Sequence, residues 1–171
     1  MNTGQRLLKI FNILLKSFGK RNWWPGETPL EIIVGAVLTQ NTSWKNVQKA
    51  IQNMKNECVL DIESLYRIGT ERLSEIIRPS GFYNLKANRL KNIVNVIYNS
   101  YGASIDNMAN ISLDELRHSL LEINGIGPET ADSILLYALN RPIFVVDAYT
   151  KRFLSNHRPV SYTHLTLPTI Y

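Results

Sequence analysis

Cysteine is nearly absent from this sequence, and the single one, Cys58, has no second cysteine in the chain with which to form a disulfide. No cluster of cysteine and histidine in the sequence has the spacing of a zinc or iron–sulfur site. Long apolar runs are lacking as well, since no stretch reaches the roughly eighteen uninterrupted apolar residues that cross a bilayer. These absences exclude a disulfide framework and an iron–sulfur cluster within the residues given. They predict a cytoplasmic protein without a membrane span.

Apolar residues, in contrast, make up 44% of the 171 positions, which is enough for a globular core. They recur at three- and four-residue intervals through most of the chain, and the sequence has no alternating strand pattern. The formal net charge of +5 favours a polyanionic partner without identifying one. We therefore predict an all-α protein, with helices over residues 4–18, 29–38, 44–55, 70–77, 84–100, 113–123, 128–139 and 148–155.

A glycine-rich segment, LEINGIGPETA at residues 121–131, separates two of these predicted helices. Gly125 and Gly127 permit a tight turn, and Pro128 suits the first position of the helix that follows. The backbone amides at that helix start are expected to face outward, where they would bind an anion such as a DNA phosphate without reading sequence. Taken alone, the same pattern is as typical of a plain corner between two helices.

Asp147 follows the apolar segment 143–146 and precedes a predicted helix, so its ordinary role would be that of an N-cap. A carboxylate at the edge of a cleft can also stabilise the positive charge that develops on deoxyribose as a glycosidic bond breaks, or orient water against it. The isolated aspartate favours the cap. The glycine-rich hairpin earlier in the chain favours the catalytic role.

The hairpin and the sequence VVDAYTKRF around Asp147 together resemble the helix-hairpin-helix, Gly/Pro-Asp (HhH-GPD) superfamily of base-excision DNA glycosylases, which endonuclease III typifies. The resemblance covers about residues 23–155. It implies an endonuclease III-like helical fold, Asp147 as the catalytic carboxylate, and double-stranded DNA with a damaged base as the partner. The corresponding expectation is a monomeric repair enzyme that works on the nucleoid.

Two further segments match the family. LTQNT, residues 38–42, is similar to the segment whose glutamine takes the place of a flipped nucleotide, which implies that Gln40 enters the duplex. RPSGFYNLKA, residues 78–87, is similar to the segment that brings a basic helix beside the DNA, which implies phosphate contacts by Lys86 and Arg89. At the hairpin, the implied phosphate-binding residues are Gly125, Ile126, Gly127, Glu129 and Thr130.

One position bears on the type of reaction. Bifunctional endonuclease III enzymes carry a lysine in the second hairpin helix that attacks the sugar and permits strand cleavage, and the corresponding residue here is Glu129. A carboxylate cannot form that imine. The resemblance therefore implies a monofunctional glycosylase without AP lyase activity, which leaves an abasic site. Lys151 is the alternative nucleophile.

Within the superfamily, the segments around Trp23, Gln40 and Arg78 most resemble the 3-methyladenine glycosylases of endonuclease III type. This implies a base pocket lined by Trp23, Trp24 and Trp44. An N3-alkylated adenine is cationic, so electron-rich rings attract it by contacts worth about 0.5–2 kcal/mol. Ordinary core packing is an equally good interpretation of Trp24.

The resemblance also divides the chain. We expect residues 1–28 to supply the N-terminal helix of a second lobe, 29–139 to form the lobe with the hairpin, and 140–157 to hold the catalytic aspartate and the start of a returning helix. Family members continue with further helices, so a C-terminally truncated protein with a non-native tail over 158–171 is expected. Because relatives hold a monovalent cation at the hairpin, that cation is the one candidate cofactor.

Two other functions remain open at this point. One is an endonuclease III-like glycosylase and AP lyase for oxidised pyrimidines or mismatches. The other is a non-catalytic DNA-binding module that uses the hairpin alone. Glu129 argues against the lyase, and the combination of Asp147, Gln40 and the tryptophans argues against binding without catalysis.

Overall fold

The computed structural model describes residues 2–21 and 24–157, and all regular secondary structure within these ranges is helical. The all-α prediction is confirmed. The helices are α1 (Thr3–Phe18), α2 (Pro29–Leu38), α3 (Trp44–Asn56), α4 (Ile62–Arg67), α5 (Thr70–Ile76), a 3₁₀ turn (Arg78–Ser80), α6 (Tyr83–Ser100), α7 (Ile105–Ala109), α8 (Leu113–Glu122), α9 (Pro128–Ser133) with a π-helical continuation (Ile134–Ala138), and α10 (Ala148–His157).

The helix starts that the sequence predicts most sharply are those with capping side chains. At α2 the hydroxyl oxygen of Thr28 accepts the amide of Glu31 at 3.1 Å, and Pro29 occupies the first turn. The carboxylate of Glu31 accepts the amide of Glu27 and pairs with Lys55 at 3.0 Å. At α8 the hydroxyl oxygen of Ser112 accepts the amide of Glu115.

The structure contains three short elements that the sequence patterns do not predict: α4, α7 and the 3₁₀ turn. Each spans six residues or fewer, which is too short for a helical period to be recognised. The predicted helix over 128–139 is also modified, because it widens into a π-helix after Ser133 and ends where the amide of Leu139 bonds to the carbonyl of Ile134 at 3.1 Å.

Residues 24–144 form one compact unit with a continuous apolar core. At its centre lies α2, in which eight of ten residues are buried. Other elements of the unit contribute fully buried core residues, among them Val47, Leu65, Leu73, Ile93, Met108, Leu116 and Ile134. The unit places the segments 39–43, 80–83 and 123–128, which carry the candidate site, at the ends of packed helices.

The second unit comprises residues 1–23 and 145–171, of which 2–21 and 145–157 are described. Helix α1 starts at a capping box formed by Asn2 and Gln5, and none of its residues is buried. Its exposed apolar side chains include Leu8, Phe11 and Phe18. The expected non-native tail lies outside the described residues. No helix among those described is long and apolar enough to span a membrane.

Candidate functional site

The hairpin between α8 and α9 is a tight turn closed by the amide of Ile126, which donates to the carbonyl of Ile123 at 3.0 Å. Gly125, the third residue of the turn, has φ of +92°, a conformation that favours glycine. Because its amide is used inside the turn, Ile126 does not present a donor to a phosphate, and this part of the prediction is wrong. Gly127 is exposed, with open space where a Cβ would stand.

Thr130 and Gln40 meet behind this turn. The side-chain nitrogen of Gln40 donates to the hydroxyl of Thr130 at 2.9 Å and to the carbonyl of Gly125 at 3.3 Å. Its side-chain oxygen accepts from a guanidinium nitrogen of Arg89. Thr130 is 7% exposed, so its hydroxyl serves the protein interior and not a phosphate. The glutamine predicted to enter the duplex therefore faces the hairpin in this structure.

Arg89 packs directly on the hairpin. A Cβ added at Gly125 would lie 2.3 Å from the Cγ of Arg89, so no larger residue fits there without displacing the arginine. The Nε of Arg89 is buried and has no hydrogen-bond partner within the described part of the chain. Arg89 was predicted to contact phosphate, but its guanidinium donates to Gln40 and its side chain packs against the turn at Gly125.

Lys86 departs furthest from its predicted role. Its side chain is 1% exposed, and the ammonium donates to the carbonyls of Leu38 at 2.9 Å and Ser80 at 2.7 Å. Burial, and secondarily repulsion by Arg89, lowers the pKa of Lys86 below its ordinary value. A phosphate cannot reach this ammonium, so the prediction of a phosphate contact is wrong. The sequence pattern indicates this burial, because Lys86 lies one helical turn before Leu90 on the buried face of α6.

The tryptophans form an aromatic cluster with a tyrosine that the sequence did not single out. The ring centroids of Trp24 and Trp44 are 5.7 Å apart in an edge-to-face arrangement, and Tyr137 lies 5.3 Å from Trp24. Gly35 makes room for both indoles, since a Cβ there would lie 3.2 Å from the Nε1 of Trp24. That Nε1 is buried and finds no hydrogen-bond partner among the described residues. Trp23 lies outside the described residues.

Asp147 belongs to the other unit and precedes α10. Its carboxylate oxygen accepts the amide of Thr150 at 2.7 Å, so it caps the helix as its sequence context indicates. Asp147 is half-buried. Capping one amide uses one oxygen, and the other keeps its lone pairs for a further contact. Glu129 is exposed in the first turn of α9.

Residues 34–166 match the family model described as "HhH-GPD superfamily base excision DNA repair protein". The chain belongs to this superfamily. The resemblance stated from the motifs is thereby confirmed, and the endonuclease III-like helical fold of the HhH-GPD proteins is the fold of this chain.

The individual relatives of this HhH-GPD protein are consistent with its membership of the superfamily. It is 54% identical over 156 residues to "Putative DNA repair glycosylase MJ1434" of Methanocaldococcus jannaschii, covering 90% of this chain and 70% of that protein. It is 29% identical over 124 residues to endonuclease III of Thermotoga maritima, covering 72% of this chain and 54% of that enzyme. The crystal structure of 3-methyladenine DNA glycosylase (MagIII) from H. pylori, bound to 1,N6-ethenoadenine, superposes with a TM-score of 0.80 and 32% identity over 96% of this chain and 79% of that one.

The structure adds one exposed aromatic residue to the candidate site of this HhH-GPD protein. Phe82 is 63% exposed and has φ of +47°, a left-handed conformation that is strained for a bulky side chain. It follows Gly81, whose φ is +67°, and immediately precedes α6. The buried ammonium of Lys86 donates to the carbonyl of Ser80, two residues before Phe82, and to the carbonyl of Leu38 at the end of α2.

Proposed function

We propose that this protein is a monofunctional DNA glycosylase that hydrolyses the N-glycosidic bond of an alkylated purine in double-stranded DNA. The observation that carries the proposal is the aromatic cluster of Trp24 and Trp44 beside a small residue, Gly35, in a chain whose fold is similar to that of a 3-methyladenine glycosylase. Membership of a base-excision repair family supports removal of a base as the general reaction, and the aromatic cluster supports an alkylated purine as the base that is removed.

The cluster suits a flipped, alkylated purine on two grounds. An alkylated adenine carries positive charge, and aromatic faces attract a cation by about 0.5–2 kcal/mol according to how far the contact is desolvated. The unpartnered Nε1–H of Trp24 is a buried donor that an acceptor on a bound base would satisfy. Trp44 begins α3 at the end of a short connection from α2, where a base could approach its ring from solvent.

Asp147 is the proposed catalytic residue. Its ionised carboxylate would stabilise the positive charge on the deoxyribose as the bond to the base breaks, or orient the water that attacks the sugar. An alkylated base already carries the charge that makes it leave, so little acid assistance is needed. With Glu129 at the position of the lyase lysine, no imine to the sugar forms there, and the product is an abasic site.

The exposed end of the hairpin is the proposed phosphate contact. Gly127 and Glu129 stand at the start of α9, where backbone amides point away from the helix and attract an anion. The turn carbonyls of Ile123, Asn124 and Gly125 each accept one N–H, and each keeps a second lone pair that suits a monovalent cation. Such a cation, when bound, would add positive charge near the phosphate.

The test is release of free base from duplex DNA treated with a methylating agent. The wild-type chain should release 3-methyladenine, and Asp147→Asn should release none above background while melting at nearly the wild-type temperature. Asparagine keeps the side-chain oxygen that caps α10, so the substitution removes charge without removing the cap. Undiminished release by the Asp147→Asn variant would overturn the assignment of the catalytic residue.

The similarity to endonuclease III enzymes supports a second candidate, a glycosylase for oxidised pyrimidines. The same assay separates the two if duplexes with thymine glycol are treated in parallel. We expect excision from methylated DNA and none from the oxidised duplex, because a neutral damaged pyrimidine gains little from the cation–π contact of Trp24 and Trp44. Preferential excision of thymine glycol would replace the first proposal by the second.

A further inference from the structure

The backbone holds the three rings of the aromatic cluster to different degrees. Trp44 is the first residue of α3, and Tyr137 lies in the π-helical continuation of α9, the same short element as the buried residues Ile134 and Leu135. Trp24 lies in the irregular segment before α2. A side chain outside regular secondary structure depends on the groups packed against it for a fixed orientation. The orientation of the Trp24 indole is therefore set by its neighbours in space.

Tyr137 is the neighbour whose ring lies closest to parallel with that indole. The two ring planes are inclined by 32° with centroids 5.3 Å apart, which is nearer to stacking than to an edge contact. Trp44 meets the same indole at 81°, in an edge-to-face arrangement. Contact with Trp44 alone would leave the tilt of the Trp24 ring open. The near-parallel contact with Tyr137 fixes that tilt.

Helix α2 supplies the third support, through a residue without a side chain. Gly35 is buried within α2, where glycine is less favourable than alanine. A Cβ at this position would lie 3.2 Å from the Nε1 of Trp24 and 3.4 Å from the Cη2 of Trp44. The two indoles thus account for the glycine, because both place an edge against the same point of α2. Trp24 is seated with its edge on α2 and its ring plane against Tyr137.

The element that carries Tyr137 is unusual. After Ser133 the helix widens, so that the amide of Leu139 bonds to the carbonyl of Ile134 at 3.1 Å and the amide of Arg141 to that of Leu135 at 2.8 Å. Single π-helical turns are rare in proteins and occur frequently at functional sites. Here such a turn carries the ring that stacks on Trp24.

We propose that Tyr137 is a positioning residue for base recognition: its ring holds the indole of Trp24 in the orientation in which Trp24 and Trp44 receive a flipped base. Tyr137 acts through Trp24 and needs no contact of its own with the base. The inference rests on the proposed function, because it takes the two tryptophans as the walls of the base pocket. It adds that the preference for a damaged base depends on a residue of the π-helical turn.

The experiment compares how strongly the full chain and its Tyr137→Leu variant prefer damaged DNA. The measured quantity is the Kd for an undamaged duplex divided by the Kd for the same duplex with a single 1,N6-ethenoadenine. Both proteins also carry Asp147→Asn, so that the duplex stays intact. We expect this ratio to fall about fivefold in Tyr137→Leu, within the roughly two- to twelvefold contribution of an aromatic pair. Misfolded protein raises both Kd values by the same factor and cancels in the ratio.

Two variants test whether the ring is responsible. Tyr137→Phe keeps the ring and removes the hydroxyl, so the ratio should stay within about twofold of that of the full chain. Tyr98→Leu is the matched control, because it breaks the stacked pair of Tyr66 and Tyr98, whose centroids are 3.7 Å apart. That pair lies on α4 and α6, which carry no residue of the aromatic cluster, and the ratio should not change. If Tyr137→Leu folds poorly, Tyr137→Met gives the same measurement with a ringless side chain.

Tryptophan fluorescence gives a second readout, which does not depend on DNA. The chain has three tryptophans, Trp23, Trp24 and Trp44, so the emission comes from the aromatic cluster and the residue next to it in sequence. Loss of the ring in Tyr137→Leu should expose the indole of Trp24, shift the emission to longer wavelength and increase quenching by acrylamide. Tyr137→Phe and Tyr98→Leu should keep the wild-type spectrum.

Each outcome supports or overturns the inference. A lower ratio and a shifted spectrum in Tyr137→Leu, with neither change in Tyr137→Phe or Tyr98→Leu, support it. An unchanged ratio in Tyr137→Leu, or an equal fall in either of the other variants, overturns the role of the ring. If the full chain prefers a thymine glycol duplex instead, the proposed function fails, and the ratio measured on that duplex decides the role of Tyr137. Equal Kd values for all three duplexes would overturn both proposals.

Discussion

The ammonium of Lys86 donates to the carbonyl of Leu38 across 2.9 Å, and so joins α6 to the end of α2 from a position that is 1% exposed. A second bond, to Ser80, fixes the turn that carries Phe82. Both acceptors are backbone carbonyls at helix ends, where no helical amide follows to satisfy them. Lys86, which the family resemblance assigns to a phosphate contact, thus links the end of α2 to the turn at Ser80.

Lys86→Met should destabilise the fold by about 1–3 kcal/mol, because it leaves two buried carbonyls without their donor. Urea denaturation followed by circular dichroism measures the change. The matched control is Lys49→Met, at an exposed position of α3, which should change the unfolding free energy by less than about 0.5 kcal/mol. Equal effects of the two substitutions would show that the buried bonds contribute nothing.

The stability contribution of Lys86 should depend on pH with a defined sign. Burial lowers the pKa of Lys86 in the folded protein below the ordinary value of 10.5, so between the two values the unfolded chain binds more protons. The unfolding free energy of the wild type should therefore rise relative to Lys86→Met as pH increases towards about 10.5. Neutral lysine still has two hydrogens for its two acceptors. A difference that stays flat or falls across alkaline pH would contradict the lowered pKa.

Gly125→Ala should impair both stability and DNA binding. The residue has φ of +92°, and the new methyl group would lie 2.3 Å from the Cγ of Arg89, so backbone strain and a clash act together. We expect a loss of about 2–4 kcal/mol from overpacking and strain. Gly127→Ala is the control, since its φ is −91° and nothing lies within 4 Å of the added carbon. Thermal melting should give a clearly lower melting temperature for Gly125→Ala than for Gly127→Ala. Similar melting temperatures would mean that the side chain of Arg89 moves aside without loss of stability.

Borohydride reduction during turnover should trap no covalent enzyme–DNA adduct, because Glu129 occupies the position of the lyase lysine. The reaction product should be intact DNA with an abasic site that breaks only after alkali treatment, as seen on a denaturing gel. A trapped adduct would overturn the monofunctional proposal. Its loss in a Lys151→Ala variant would then identify Lys151 as the nucleophile.

Local signals predicted much of the fold. Thr28, Pro29 and Ser112 act within one turn of the helices that they start, so their effect can be recognised from neighbouring residues alone. The turn at Gly125 can likewise be recognised from neighbouring residues alone. The helices α4 and α7 were not predicted because each is too short to show a helical period of its own.

The roles of Gln40, Lys86 and Arg89 could not be predicted as easily, because all three are polar residues near a predicted DNA surface. Their direction depends on partners far away in sequence: Gln40 bonds to Thr130 ninety positions later, and Lys86 to Leu38 forty-eight positions earlier. Motif resemblance places a residue in a segment but does not tell whether its side chain faces outward or inward.

By itself, the sequence determined that this protein is helical, that it contains a glycine turn between two helices, and that an aspartate caps a later helix, since each property depends on residues a few positions apart. Only the tertiary structure decided that the glutamine and the arginine turn inward, and which carbonyls the ammonium of the lysine reaches. Burial imposes that choice on the glutamine and the lysine, because backbone carbonyls removed from water at helix and turn ends need donors, and these two side chains are the donors within reach. The arginine donates to the side-chain oxygen of that glutamine.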